Sequence, residues 1–339
     1  MPLPPDFDPD APAGPSDGAF GLPTTPDESG IVLIPVPFEA TTSFGRGTAA
    51  APRRILEASW QIDLNDTDTG EPWRAGVAML PFDPQVDAWN REACALAQPI
   101  VEAGGPQTDA HRAARDEVDA IGDALNKWVH GHTAAVLRRG AIPGIIGGDH
   151  SVPFGAVQAA AEAHPGLGLL HIDAHADARV AYEGFRWSHA SILYNLRTRL
   201  RGLGHGVSVG LRDIGREESR LLRSWERQTA YSDTELRYEK AAGEPWLRIA
   251  ARIVHPLPEK VWVTVDVDGL EPQYCPHTGT PVPGGLDWGE LMLLLDVLQQ
   301  NHEIVGFDVC EVGDHAWDAN VGARLAYKLG GYALMSRGR

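Results

Sequence analysis

Four short apolar runs in this chain each end in a cluster of acids and imidazoles. IPGIIGG (142–148) runs into Asp149, His150 and Ser151, LGLLHI (167–172) into Asp173, His175 and Asp177, VWVTV (261–265) into Asp266 and Asp268, and EIVGFDV (303–309) leads to Glu311. A core rejects such groups, because a carboxylate buried without a partner is very costly. The runs are therefore read as strands that cross a core and deliver their last residues to its rim.

Further short β-branched runs at 31–36 and 206–210 complete the strand pattern, and Ala- and Leu-rich stretches with helical spacing lie between the runs at 112–139, 152–163 and 287–300. Strands alternating with helices predict an α/β fold: a mainly parallel sheet covered on both faces. In such sheets ligands bind outside the carboxyl ends of the strands, so separate strand ends converge on one rim. The chain has no internal repeat and no Gly/Ser linker. It is read as a Pro-rich, acidic arm over residues 1–30, flexible or draped and a candidate subunit contact, followed by a single domain over 31–339.

On an extended chain, residues two and four apart share a side, which makes Asp173, His175 and Asp177 co-facial, and likewise Asp266 and Asp268. Carboxylates brought that close raise one another's pKa and resist desolvation. Some positive charge must compensate them, and no Lys or Arg is interleaved at these points. His150 and His175 add imidazole nitrogen to the carboxylate oxygens, and mixed N/O ligation without thiolate suits Mn²⁺, Ni²⁺, Co²⁺, Fe²⁺ or Zn²⁺. Four aspartates and two histidines exceed what one ion takes, so a pair of divalent ions is inferred; such a pair can lower the pKa of a water held between its members toward neutrality. His171, two residues before Asp173 and still inside the apolar run, is read as a packed histidine and not a ligand. GGDHS at 147–151 resembles a phosphate loop only superficially: it lacks GxGxxG and GxxxxGK[ST], and no nucleotide is assigned to it.

Composition excludes several classes. A formal net charge of −17 repels phosphate backbones and acidic membranes and favours small cations, so nucleic acid is not an expected partner. No apolar run is long enough for a membrane span. Cys94, Cys275 and Cys310 are three scattered thiols with no CxxC pair, which fits a reducing cytoplasm and argues against a disulfide framework.

Taken in order, SFGRGTAAAPRRI (43–55), GGDHS, DAHAD, DVDGLEP (266–272), the TGTP–GGL frame (278–286) and CEV (310–312) resemble the ureohydrolase superfamily of arginases, agmatinases and other amidinohydrolases. The resemblance implies a three-layer αβα sandwich with a central parallel sheet of about eight strands, assembled as trimers or hexamers. It puts His150, Asp173, Asp177 and Asp266 around one metal ion and Asp173, His175, Asp266 and Asp268 around the other, with Asp173 and Asp266 bridging. It makes His189 the proton shuttle to the leaving amine and Glu311 the acid that grips the guanidinium, and Asp177 is a second proton carrier.

Departures from the family pattern bear on the substrate. Only 11 residues (178–188) separate Asp177 from His189, where arginases carry a longer polar loop for the amino-acid end of arginine. Ala190 follows His189 where agmatinases have Gly, Glu271 replaces an Asp, and Asn-Pro is missing after Val312. Together with WDANVGARLAYKLGG (317–331), these features look most like the guanidine hydrolase branch, which is often labelled agmatinase and includes nickel-dependent enzymes acting on guanidine or on biguanides such as metformin. The expectation is thus a dinuclear Ni²⁺ or Mn²⁺ amidinohydrolase for such a small cation, with agmatinase or guanidinobutyrase as the first alternative and a non-catalytic subunit of a hetero-oligomer as the second. A one-zinc deacetylase on a similar sheet lacks the second ligand pair. Ring faces attract guanidinium, and Trp187 and Trp60 are the aromatics expected to line the pocket, with Tyr182 and Phe185 read mainly as packing.

Overall fold

The computed structural model describes residues 3–4, 7–15 and 17–338. Eight strands form one parallel sheet: β1 (Ile31–Val36), β2 (Val77–Met79), β3 (Ile142–Gly147), β4 (Gly168–Ile172), β5 (Gly206–Leu211), β6 (Gln228–Ser232), β7 (Lys260–Asp266) and β8 (Glu303–Cys310), in the order β2-β1-β3-β8-β7-β4-β5-β6. The helices are α1 (Ala51–Ser59), α2 (Pro84–Glu102), α3 (Asp109–Arg138), α4 (Phe154–Ala163), α5 (Ile192–Arg199), α6 (Arg216–Ser224), α7 (Asp233–Ala241), α8 (Trp246–Val254), α9 (Trp288–Gln299) and α10 (Ala316–Arg337).

The sheet is buried on both faces because its inner strands are apolar at nearly every position. In β1, Ile31 and Leu33 enter one core layer with α1, α8, α9 and α10, while Val32, Ile34 and Val36 enter the other with α2, α3 and α4. Alternate residues thus serve opposite cores, as the two-residue period of a strand requires. This is the three-layer sandwich expected from the sequence. β2 and β6, which the apolar pattern does not reveal, are the two edge strands; β2 has three residues and β6 reads QTAYS, largely polar.

The acids and imidazoles singled out above sit at or just past the carboxyl ends of the four innermost strands, β3, β8, β7 and β4, which are direct neighbours. At a spacing of about 4.8 Å per strand, their carboxyl ends bring side chains from distant parts of the sequence onto one short rim. Within the segment expected as an N-terminal arm, residues 18–22 lie against α1 and α10. Phe20 and Leu22 are buried, the Phe20 N–H donates to Ser59 Oγ at 2.9 Å, and the Phe20 and Tyr327 rings are 4.8 Å apart. No helix among the described residues is long and apolar enough to cross a membrane.

Candidate active site and metal centre

His150 follows the end of β3 and is fully buried. Its Nδ1 lies 3.0 Å from Asp173 Oδ2, 3.3 Å from Asp177 Oδ2 and 3.5 Å from Asp266 Oδ2, so three carboxylates face one nitrogen. The other ring nitrogen fixes the tautomer. Nε2 is 2.9 Å from Thr264 Oγ1, and that hydroxyl donates to Asp308 Oδ1 at 2.8 Å. Since the hydroxyl has one proton, it accepts from Nε2–H, which leaves Nδ1 as the nitrogen turned toward the carboxylates. Asp308 is held in turn by Trp262 Nε1 at 2.6 Å.

A second group lies beside the first. His175 Nδ1 is 3.0 Å from Asp268 Oδ2 and 3.6 Å from Asp173 Oδ1, which puts Asp173 between the two histidines. His171 Nε2 bonds Asp173 Oδ2 at 2.9 Å and its Nδ1 meets Ser208 Oγ at 3.1 Å, so it orients Asp173 from within β4. Close backbone approach brings the motifs together: a Cβ on Gly269 would stand 2.7 Å from the Asp173 nitrogen, so the DVDG turn needs glycine there. Asp177 and Glu311 hold left-handed backbone, with φ of 47° and 61°, a conformation that costs non-glycine residues energy and that clusters at functional sites.

Electrostatics leaves this cluster short of positive charge. Burial, then the neighbouring charges of Asp268 and Asp173, pushes Asp266 well above its usual value. Burial and Asp173 lift Asp177 to about 7, and burial lifts Asp149 to about 6. Burial opposes charge on His175, but its bonds to Asp173 and Asp268 prevail and push it up to about 12. Carboxyls driven to keep protons and an imidazole driven to gain one mark a site built for cations. The acids' ion-pair partners among the described residues are imidazoles; Arg212, the nearby cation, donates to the backbone carbonyls of Asp268, Leu270 and Val282. Nitrogen and oxygen donors gather closely enough to share divalent ions in two groups, His150, His171, Asp173 and Asp177 in one and Asp173, His175 and Asp268 in the other; Asp266 falls in neither group, though its Oδ2 lies 3.5 Å from His150 Nδ1.

The cavity above the cluster has a volume of about 170 Å³ and is lined by His175, Asp177, Asp266, His189, Tyr182, Glu311, Thr280, Ser43 and, at the mouth, Arg179 and Asp213. Glu311 Oε1 accepts the His150 N–H at 3.0 Å, while Oε2 is buried without a partner. Burial, Asp266 and Asp149 hold its carboxyl well above the ordinary range. His189 meets Thr41 Oγ1 at 3.3 Å, and burial followed by the His175 charge lowers it to about 4.

Two aromatic expectations fail. Trp187 points away from the cavity: its Nε1 donates to Asp123 Oδ1 of α3 at 2.8 Å and its ring packs 4.7 Å from Phe154, pinning the 178–188 loop to α3. Trp60 caps α1 and donates to Gly18 O at 3.2 Å beside the N-terminal segment, outside the cavity. Phe185 is fully buried. Tyr182 is the aromatic that faces the site, edge-on to His189 at 5.8 Å with the Arg179 guanidinium 4.7 Å from its ring centre. Thr264, Asp308 and Thr41 are additions that the motifs do not announce. Their signal is present in part: Asp308 is the one acid in the interior of the apolar run EIVGFDV, and it pairs in register with Thr264, two residues before Asp266.

The chain is similar to known proteins along most of its length. An N(1)-aminopropylagmatine ureohydrolase of Thermus thermophilus is 32% identical over 300 residues, 86% of each chain, and an agmatinase of Bacillus subtilis is 26% identical over 89% of this chain and 91% of its own. The solved proclavaminate amidinohydrolase of Streptomyces clavuligerus has the same fold, with a TM-score of 0.71 at 23% identity over 97% of this chain and 100% of its own. The sequence profile of the arginase family matches residues 29–335, a span that takes in the whole sheet and the buried cluster of acids and imidazoles, and the chain belongs to that family of hydrolases, which act on amidino C–N bonds.

Proposed function

We propose that this chain is a dinuclear-metal amidinohydrolase for a small guanidino cation, guanidine itself or a biguanide of the metformin kind, releasing urea or a substituted urea with ammonia or an amine. The observation that carries this reading is Glu311, which lines a cavity of only about 170 Å³ and whose Oε2 is buried without a partner. A planar cation with paired N–H donors satisfies such an oxygen.

The ions would be held by His150, Asp173, Asp177 and Asp266 and by Asp173, His175, Asp266 and Asp268, and either Ni²⁺ or Mn²⁺ suits these donors. When bound they supply Lewis acidity and a water of lowered pKa. The chain's own groups do the rest. Glu311, its Oε1 anchored by the His150 N–H, orients the guanidinium plane. Tyr182 narrows the mouth and limits water. His189 carries a proton on its ring to the leaving nitrogen, with the Asp177 carboxyl as a second carrier.

The complete ligand set counts against a non-catalytic subunit. An agmatinase or guanidinobutyrase activity is the second reading, favoured by the names of the relatives and by Asp213, a carboxylate 73% exposed at the mouth where a distal ammonium could reach it. Three free thiols fit a reducing cytoplasm, and a homo- or hetero-oligomer, trimer or hexamer, is the assembly we infer.

The test is release of urea and guanylurea from guanidine, metformin, agmatine, 4-guanidinobutyrate and arginine by protein loaded separately with Mn²⁺ and Ni²⁺. Guanidine or metformin as the best substrate supports the proposal; agmatine or 4-guanidinobutyrate selects the second reading. Arginine as the best substrate contradicts the compact mouth, and no turnover of any of the five removes the catalytic assignment.

A further inference from the structure

Beyond the catalytic cluster, a second set of metal-capable side chains gathers where the 275–280 segment meets the start of α10. Asp318, in the first turn of α10, is a carboxylate with 0% exposure. Its Oδ2 accepts the His277 N–H at 2.9 Å, and its Oδ1 lies 2.9 Å from His277 Nδ1 and 3.8 Å from His315 Nδ1. The two imidazole rings stack with centroids 4.0 Å apart, and both side chains are half exposed to solvent. Among the described residues, no Lys or Arg pairs with Asp318; the two imidazoles are its only ion-pair partners.

We propose that His277, His315 and Asp318 form a third cation site, for a borderline transition-metal ion such as Zn²⁺, with water completing the coordination. The site shares no residue with the catalytic cluster. Its donors are two imidazole nitrogens and one carboxylate oxygen, a set that suits Zn²⁺, Ni²⁺ or Cu²⁺ and disfavours Ca²⁺ or Mg²⁺, which want oxygen. The spacing fits. Ligand atoms about 2.0–2.2 Å from a tetrahedral ion stand roughly 3.3–3.5 Å from one another, and the observed 2.9 and 3.8 Å bracket that value. A small rotation of His315, which releases Nδ1 from the Trp317 N–H at 3.3 Å, closes the longer gap. The buried Asp318 supplies a fixed anchor, the exposed rings give the ion a way in from water, and the net charge of −17 raises the local concentration of cations.

An ion there would staple two segments that serve the active site. His277 lies three residues before Thr280, whose hydroxyl is 3.4 Å from Asp268, and His315 lies four residues after Glu311. The ion is therefore placed to stiffen the wall of the cavity without touching the reacting atoms.

The experiment counts ions. Full-length protein with its catalytic ions in place is dialysed against chelator-buffered Zn²⁺, and total metal per chain is measured by mass spectrometry for the unaltered protein and for H277Q/H315Q. Three ions per chain falling to two in the double variant is the expected result. Two in both, or three in both, overturns the proposal. Should the double variant fail to fold, anomalous scattering at the zinc edge from crystals of the unaltered protein decides: a peak within bonding distance of all three side chains supports the site, and its absence removes it.

Discussion

Thr264 offers the most direct way to test how the centre is built. The residue is 1% exposed, and its hydroxyl accepts a hydrogen bond from His150 Nε2 at 2.9 Å and donates its own proton to Asp308 at 2.8 Å. Thr264→Val keeps the shape and β-branching that β7 wants but deletes both bonds. Two consequences follow. Without metal, His150 Nε2 loses its bond and Asp308 Oδ1 loses its shortest one, keeping the Val265 N–H at 3.3 Å, so the apoprotein loses about 1–3 kcal/mol of stability. With metal, the imidazole no longer has its tautomer or its angle fixed, and removal of such a supporting partner typically costs 10–100-fold in metal affinity or activity. That factor corresponds to about 1.4–2.7 kcal/mol. The assay is competition for Mn²⁺ or Ni²⁺ against a fluorescent chelator, with urea release measured across a metal titration. The half-saturating metal concentration should rise about 10–100-fold while kcat at saturating metal stays within about threefold, and Thr264→Ser, which keeps the hydroxyl, should recover most of the affinity. If Thr264→Val binds metal within about twofold of the unaltered protein, the relay through Thr264 does not set the orientation of His150, and the carboxylates around Nδ1 must hold the ring by themselves.

Three further outcomes are expected. His189→Ala should lower kcat by about 10²–10⁴ with metal content unchanged; turnover within threefold of the unaltered enzyme would remove the proton-carrying role. Trp187→Phe should lower stability by about 1–2 kcal/mol through loss of the Asp123 bond, with kcat/KM changed by less than about threefold; a tenfold rise in KM would restore the tryptophan as a pocket wall. Lys328, 13% exposed, ties α10 to Asp66 at 2.8 Å and also bonds Asp68. Burial raises Asp66, but Lys328 and the Thr69 and Asp68 N–H groups outweigh it and hold the carboxyl below 3.8; burial likewise opposes charge on Lys328, which the two acids hold above 10.5. A depressed acid stabilises above its unfolded pKa and loses that contribution as pH falls through the folded one, while a raised lysine loses its contribution only as pH climbs through its own. The stability difference between the unaltered protein and Lys328→Met, about 3 kcal/mol at neutral pH, should therefore be flat from about pH 5 to 10 and shrink below pH 4. A difference that grows in acid would contradict the pairing.

Much of this architecture can be read from the residues alone, for reasons the structure makes plain. Strands buried on both faces must be almost continuously apolar, so β1, β3, β4, β5, β7 and β8 stand out, and the acids at the ends of four of them are conspicuous against that background. Edge strands obey no such rule: β2 has three residues and β6 is largely polar, and neither has a pattern to detect. The buried cluster of acids and imidazoles is legible because charge repulsion demands an explanation wherever carboxylates recur at two-residue spacing. The pocket's aromatic wall is not, because whether Trp187 turns inward or outward is decided by Asp123, 64 residues away on α3. Trp60 likewise answers to Gly18, and nothing in LEASWQIDL announces it. Thr264 and Asp308 lie between these cases: the acid is visible, but its role depends on strands β7 and β8 being neighbours.

The acids and imidazoles of the cluster follow the four innermost strands, whereas the mouth is made by the 178–188 loop, which leads into His189, and by Asp213 just past β5. Descent with modification can therefore act on the two separately: the interior is intolerant, since a change there disturbs several partners at once, but the lip is free to vary. A lineage could exchange one amine for another by rewriting a handful of surface positions, keeping the hydrolytic machinery it inherited.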